Sequence, residues 1–320
     1  MVKLLIPAGK EEIVYSAFEN GADGVYIGPK NLSRRSSECE LDDEAIKRCI
    51  DYANAHGKEI HIALNIHYQP STIALILKKA ERYIKWGAST IIATDLAVIK
   101  ALSSEFYNTN LCASVSCAIS NAEAARFYKD IGCTQIVAMI NASADDVRKI
   151  KESVDINIEV FAHGCFDYNQ CGHCWISTYL HSKKCNISSK NDYYFLGSLN
   201  RGGSCFRICQ RPWKLCDNKY NVLREDYFNG AVYHFYRLER LLDYIKAGAS
   251  YFKVQGRGYN AETVIEITRL YREALDQIFM LGEKFSIKDD LKARERKIED
   301  IRLAAQNSRT DMLLGRAGMR

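Results

Sequence analysis

Cysteines are concentrated in one stretch of this chain, and their spacing is typical of a metal centre. Seven of the twelve cysteines lie between residues 165 and 216. Cys171 and Cys174 form a C-x2-C pair, and Cys205 and Cys209 form a C-x3-C pair further along the chain. Two such pairs can supply four thiolates to one centre, because each pair chelates from a tight turn. Four thiolates suit zinc and an iron–sulfur cluster alike, so this pattern leaves both open.

The surroundings of these cysteines favour metal binding over disulfides. Arg201 and Gly202 lie in a glycine-rich turn before Cys205, whose N–H groups can donate to cluster sulfurs or hold an anion. Disulfides need an oxidising compartment. The N-terminal apolar run is too short for a signal peptide, and no later run is long enough to cross a membrane. We therefore expect a cytoplasmic protein with reduced thiols.

Composition narrows the functional classes. The chain is 47% hydrophobic and 26% charged, which is typical of a soluble globular protein with a sizeable core. A net charge of +5 is mild, and it does not by itself indicate nucleic-acid binding. Neither H-E-x-x-H nor G-x-S-x-G occurs, so the motifs give a protease interpretation little support.

Alternating strand and helix patterns predict an α/β fold, specifically a (β/α)8 TIM-like barrel. A helix-ending glycine followed by a strand recurs, as in NGADGVYIG and AGASYFKVQG. An open dinucleotide-binding sheet would need a glycine-rich turn after strand one, and IPAGKEE has a single glycine. Eight strands are predicted, at 3–6, 24–28, 60–66, 90–94, 111–116, 135–139, 156–161 and 251–255. Helices are predicted at 11–20, 42–56, 72–86, 95–106, 120–131, 142–153, 237–247 and 260–281.

The predicted domain organisation is a barrel over 1–281 and a charged helix with a basic tail over 282–320. The Cys-rich segment, 164–232, is an insertion between strand seven and its helix. Chemistry in such barrels lies where strands end and helices begin. His163 ends strand seven and Arg257 follows strand eight, and Arg257 suits a carboxylate or phosphate. Other side chains predicted at these strand ends are Tyr26, Asn65, Thr94, Asp95, Ser114, Ser116 and Gln255, and Arg34 on the second loop could add an anion contact.

Several motifs, in order and at matching distances, carry a family resemblance. They are LLIPAGKEE, NGADGVYIGPK, LNIH, ATDLAVI, FAHG, CWISTYL, NRGGSC with CQRPW, and KVQGRGYNAETV. On these the chain resembles the peptidase U32 (collagenase-like) family over about residues 3–281. The resemblance implies a TIM barrel and, from the better-understood members, oxygen-independent hydroxylation. Those members act in ubiquinone biosynthesis or on a pyrimidine of tRNA or ribosomal RNA, with prephenate implicated as oxygen donor for the RNA branch.

The resemblance also implies a [4Fe–4S] cluster on four cysteines. Cys174 and Cys205 match the family's ligands, and Cys209 matches its C-x3-C form. Asp167 stands where many relatives have another cysteine, so the fourth ligand is Cys165, Cys171 or Cys216. The family's usual E-G-R after strand eight is Q-G-R here, which removes one carboxylate.

Together these observations predict an iron–sulfur protein that supports hydroxylation of a quinone precursor or another aromatic substrate. His163 and Arg257 would position the substrate, and Arg201 and Gly202 would support the cluster. The stretch GPKNLSRRSSECELDD resembles the ubiquinone branch more than the RNA branch. The alternatives are an RNA hydroxylation protein, a zinc-stabilised scaffold without catalysis, and a true U32-type peptidase. Expected partners are a small aromatic substrate, a paralogous U32 barrel or RNA.

Overall fold

Eight parallel strands close into a barrel in the computed structural model, which describes residues 2–34, 37–165, 212–229 and 234–316. The first strand pairs with both the second and the last, and the remaining neighbours pair in chain order. The α/β barrel prediction is therefore confirmed. The barrel strands are β1 (Lys3–Pro7), β2 (Gly24–Ile27), β3 (Glu59–Leu64), β4 (Thr90–Ala93), β5 (Leu111–Ala113), β6 (Gln135–Val137), β7 (Asn157–Cys165) and β11 (Tyr251–Val254).

Helices follow the strands and cover the barrel. Several begin at side-chain caps: Asp42, Asp95, Asn121, Ser143 and Asn260 each accept a backbone N–H of the first helical turn, which fixes where the strand-to-helix loop ends. The helices are α1 (Glu11–Glu19), α2 (Asp43–Ala55), α3 (Ile73–Trp86), α4 (Leu96–Glu105), α5 (Ala122–Asp130), α6 (Ala144–Ser153), α7 (Leu241–Lys246), α8 (Ala261–Leu281) and α9 (Asp289–Arg316).

Further strands lie between β7 and α7 in the described part of the chain. β8 (Pro212–Cys216) and β9 (Val222–Asn229) form an antiparallel hairpin. β10 (His234–Tyr236) runs antiparallel to the end of β7, with His234 opposite Cys165. The insertion thus leaves and rejoins the barrel at the carboxyl end of β7, as the sequence predicts.

Successive side chains of each strand point to opposite faces, which divides the core into two regions. The larger region lies between the strands and the helices and includes Leu4 and Ile6 of β1. Helix α9 packs on α8 and buries Leu291 and Ile298. Among the described residues, no helix combines the length and apolar content that crossing a bilayer requires. The smaller region fills the barrel interior and consists of Leu5, Tyr26, Ile92, Cys112, Val137, Ile140 and Phe161.

The structure changes several predicted boundaries. Strand seven runs on to Cys165 rather than ending at 161, because β10 pairs with its last three residues. The helix predicted at 237–247 is α7, which is preceded by a short 3-10 turn at Leu238–Arg240. Helix α9 continues to Arg316, through much of the segment predicted as a basic tail. The division of the chain at residue 281 stays a prediction.

Candidate functional site at the barrel mouth

A cavity opens at the carboxyl ends of the barrel strands. Its volume is about 50 Å³. Its position is the one at which barrels of this architecture carry their chemistry. The lining residues are Tyr26, Arg34, Ala63, Asn65, Ile92, Ser114, Val115, Phe161, Lys253, Gln255 and Arg257. Apolar and aromatic walls therefore alternate with polar and cationic groups.

Most residues predicted at the strand ends lie in this cavity or beside it. Tyr26, Asn65, Ser114, Gln255 and Arg257 line it, as does Arg34. Of the other predicted residues, Asp95 caps the N-terminus of α4 and accepts a hydrogen bond from the Tyr68 backbone N–H at 3.1 Å. Thr94 and Ser116 are buried. Their position follows from the alternation of side chains along a strand, since this determines which side chains point into the barrel.

Arg257 is buried and held by a chain of hydrogen bonds. Its Nη1 donates to Ser33 Oγ at 2.7 Å, and Ser33 Oγ donates to Glu40 Oε1 at 2.7 Å. Glu40 also accepts the backbone N–H of Asn31 at 2.9 Å. The guanidinium carbon lies 5.8 Å from the centre of the Tyr26 ring. These contacts fix a cation in the cavity wall, where it can orient an anionic group of a ligand.

Two glycines permit this close packing. A Cβ at Gly28 would lie 2.1 Å from Arg257 Nη1 and 2.3 Å from Ser33 Oγ. A Cβ at Gly9 would lie 2.2 Å from the carbonyl oxygen of Arg257. Both glycines therefore leave room for the loop that follows β11 and carries Arg257.

Lys253 is a site residue that the sequence interpretation missed. It is 5% exposed, lines the cavity, and its Nζ lies 2.5 Å from Glu159 Oε1. Glu159 is fully buried and also accepts a hydrogen bond from Gln135 Nε2 at 2.8 Å. Burial opposes the charge on Lys253, but the Glu159 carboxylate outweighs it and raises the pKa of the lysine above its usual value.

His163 lies behind the cavity wall. It is almost fully buried, and its ring meets those of Tyr259 and Tyr271 edge-on, with centroids 6.5 and 6.0 Å away. Burial, aided by the positive charge of Arg302, lowers its pKa to about 3, so the imidazole is neutral at physiological pH. It is not among the described residues that line the cavity. A catalytic role for His163 stays a prediction.

The predicted metal ligands lie largely outside the described residues. Cys165 ends β7, and Cys216 is an exposed free thiol at the end of β8. Within the described part of the chain, His, Cys, Asp and Glu side chains do not assemble into a metal-binding group of three or more. The remaining predicted ligands and cluster-supporting residues, Cys171, Cys174, Cys205, Cys209, Arg201 and Gly202, lie outside the described residues.

A closed (β/α)8 barrel with a polar cavity at the carboxyl ends of its strands places the protein in the class of TIM-like α/β barrels. The model of peptidase family U32 matches residues 9–310. The chain therefore belongs to peptidase family U32.

Three curated relatives illustrate the range of this family. An uncharacterized protease from Methanocaldococcus jannaschii is 27% identical, over 87% of this chain and 66% of its own length. The 23S rRNA 5-hydroxycytidine C2501 synthase of Escherichia coli is 29% identical, over 87% of this chain and 40% of its own length. The tRNA hydroxylation protein P1 of Bacillus subtilis is 25% identical, over 90% of this chain and 66% of its own length. The chain thus spans less than two thirds of each of these relatives.

Proposed function

We propose that this chain takes part in oxygen-independent hydroxylation of an aromatic ring held at the barrel mouth. A pyrimidine of tRNA or ribosomal RNA is the first substrate class, because two relatives are named for hydroxylation of these RNAs. A quinone precursor is the second, on the family resemblance of the second loop. The observation that carries the proposal is the cavity itself, which combines aromatic walls with fixed cations.

The described residues have separable roles in this proposal. Tyr26 and Phe161 offer ring faces to an aromatic substrate. Arg257, with Arg34 nearby, orients an anionic group such as a phosphate. The apolar residues Ile92 and Val115 exclude water from the buried side of the ring.

A [4Fe–4S] cluster is the proposed cofactor, with zinc as the alternative. Its ligands would be Cys174, Cys205 and Cys209 with one of Cys165, Cys171 or Cys216. When bound, such a cluster supplies electron transfer at a potential set by its ligands and their hydrogen bonds. The pairing of β7 with β10 supports the proposal, because it brings both ends of the insertion to the side of the barrel where the cavity opens.

The test combines metal analysis with RNA analysis. Protein purified without oxygen should contain iron and sulfide and show a visible spectrum that bleaches on reduction. RNA from a host that lacks its own family members should gain a hydroxylated pyrimidine nucleoside when the chain is expressed, measured by mass spectrometry. Arg257→Met should lose the product, whereas the exposed control Arg126→Met should keep it. Zinc without iron, or RNA that stays unmodified, contradicts the corresponding part of the proposal.

A peptidase is the second candidate, because one relative is named a protease. Gelatin cleavage that disappears on substitution of Cys174 would support it. A paralogous barrel is the proposed protein partner on the family resemblance. Native mass spectrometry of protein isolated from its own cells tests that association.

A further inference from the structure

An ion pair lies inside the barrel, below the cavity. Lys253 and Glu159 come from adjacent strands, β11 and β7, and both side chains are buried. Such pairs are costly to desolvate, and well-packed apolar side chains often replace them without loss of stability. The pair is therefore weak evidence for a role in stability.

The geometry leaves the lysine able to donate further hydrogen bonds. Its ammonium has three N–H donors. Glu159 Oε1 accepts one of them, and within the described residues no other acceptor for Lys253 is found. The Nζ atom lies 4.2 Å from the centre of the Tyr26 ring and 5.8 Å from that of Phe161. The ammonium is thus presented to the cavity between two aromatic side chains.

We propose that Lys253 donates a hydrogen bond to a carbonyl oxygen of the pyrimidine ring that the protein modifies, and that Glu159 and Gln135 are positioning residues for its ammonium. This inference rests on the proposed function and specifies how the same site recognises its substrate. A flipped base is read through its polar edge and held by stacking, which matches a donor flanked by Tyr26 and Phe161.

A neutral oxygen fits this position better than an anion. Glu159 already balances the charge of Lys253 at 2.5 Å. A carboxylate or phosphate bound to the same ammonium would lie close to Glu159 in a site of low dielectric, where like charges repel strongly. A carbonyl oxygen accepts the hydrogen bond without adding charge.

The experiment compares ligands and variants in the full chain. The probes are uridine and two analogues that lack the oxygen at ring position 2 or at position 4, titrated by ligand-observed NMR. Wild-type protein should bind uridine at least about tenfold more tightly than one of the analogues. Lys253→Met should lose that preference, and Glu159→Gln should reduce it. Lys3→Met is the matched control, because Lys3 pairs with Glu59 at the opposite end of the barrel.

The outcomes separate this inference from the proposed function. Uridine binding with an unchanged preference in Lys253→Met overturns the inference alone. Wild-type protein that binds none of the pyrimidines but prefers 4-hydroxybenzoate to benzoate overturns the pyrimidine substrate. Should Lys253→Met unfold, Lys253→Arg serves instead, and the wild-type preference among the probes still decides whether a ring oxygen is recognised.

Discussion

At the scale of single residues, the candidate site has two layers: Arg257 and Gln255 lie at the mouth, and Lys253 lies below them, paired with Glu159. Arg257 and Gln255 were found because they follow a strand, where barrels place functional groups. Lys253 and Glu159 lie within strands and are 94 residues apart in sequence. A lysine in a strand usually faces solvent, so the sequence around Lys253 did not indicate a residue of the site. The available signal was alternation, since Glu159 with Phe161 and Lys253 with Gln255 face the same side of their strands.

Gly28→Ala should damage the site more than it lowers stability. The added Cβ would lie 2.1 Å from Arg257 Nη1, 2.3 Å from Ser33 Oγ and 2.7 Å from Ser33 Cβ, so both side chains must shift. Movement breaks the hydrogen bond to Ser33, so the proposed hydroxylation should fall by about 100-fold, the effect of a misplaced positioning group. Product formation and melting temperature should be measured together.

The control for this substitution is Gly57→Ala. Its Cβ would meet nothing within 4 Å, but φ is +63°, so the change should cost about 1 kcal/mol of stability and leave product formation intact. Equal activity of Gly28→Ala and wild type would show that Arg257 does not need its present position.

At the scale of elements, local patterns predicted the strands and helices well, and non-local contacts set the remaining boundaries. Strand β7 is extended by pairing with β10, which lies far away in sequence. Helix α9 likewise packs on α8, and Arg302, in the middle of its charged sequence, is buried. The sequence predicts a solvated helix here, because composition does not reveal which charged side chains pair within the protein.

Helix α9 contains a carboxyl group whose substitution should stabilise the protein at high pH. Glu295 Oε1 is buried, and the described residues offer it no hydrogen-bond partner; burial, with the nearby Glu239 charge, raises the pKa of Glu295 to about 7. Because the folded-state pKa is raised, its favourable contribution is complete below about pH 4.5 and is lost as pH rises through 7. Glu295→Gln should therefore raise the melting temperature by a few degrees at pH 8 and by little at pH 5.

Glu299→Gln provides a contrast on the same helix. It removes the carboxylate partner of buried Arg302, so the melting temperature should fall. A Glu295→Gln variant that is also less stable at pH 8 would contradict the assignment of a strained carboxylate.

At the scale of the whole molecule, the two ends of the barrel have different tasks. The mouth holds the candidate site, whereas the opposite end is tied across strands by polar contacts. Glu59, the first residue of β3, accepts hydrogen bonds from Lys3 of β1 and from the Tyr251 hydroxyl of β11, the latter at 3.2 Å. It also lies 3.1 Å from His61 Nε2. These contacts connect strands from the two ends of the sequence, and side chains at this end of a barrel usually serve stability.

Lowering the pH should destabilise this end of the barrel by protonating Glu59. Burial opposes its ionisation, but hydrogen bonds from His61 and Lys3 outweigh burial and lower its pKa to about 2. The stabilisation is complete above the unfolded value of about 4.5 and is lost as pH falls towards 2. Glu59→Gln should therefore melt a few degrees below wild type at pH 7, and the gap should narrow below pH 4.5 and close only near pH 2. Glu105→Gln, an exposed change at the end of α4, should track wild type throughout; a constant gap for Glu59→Gln across this range would mean that its charge does not hold the strands together.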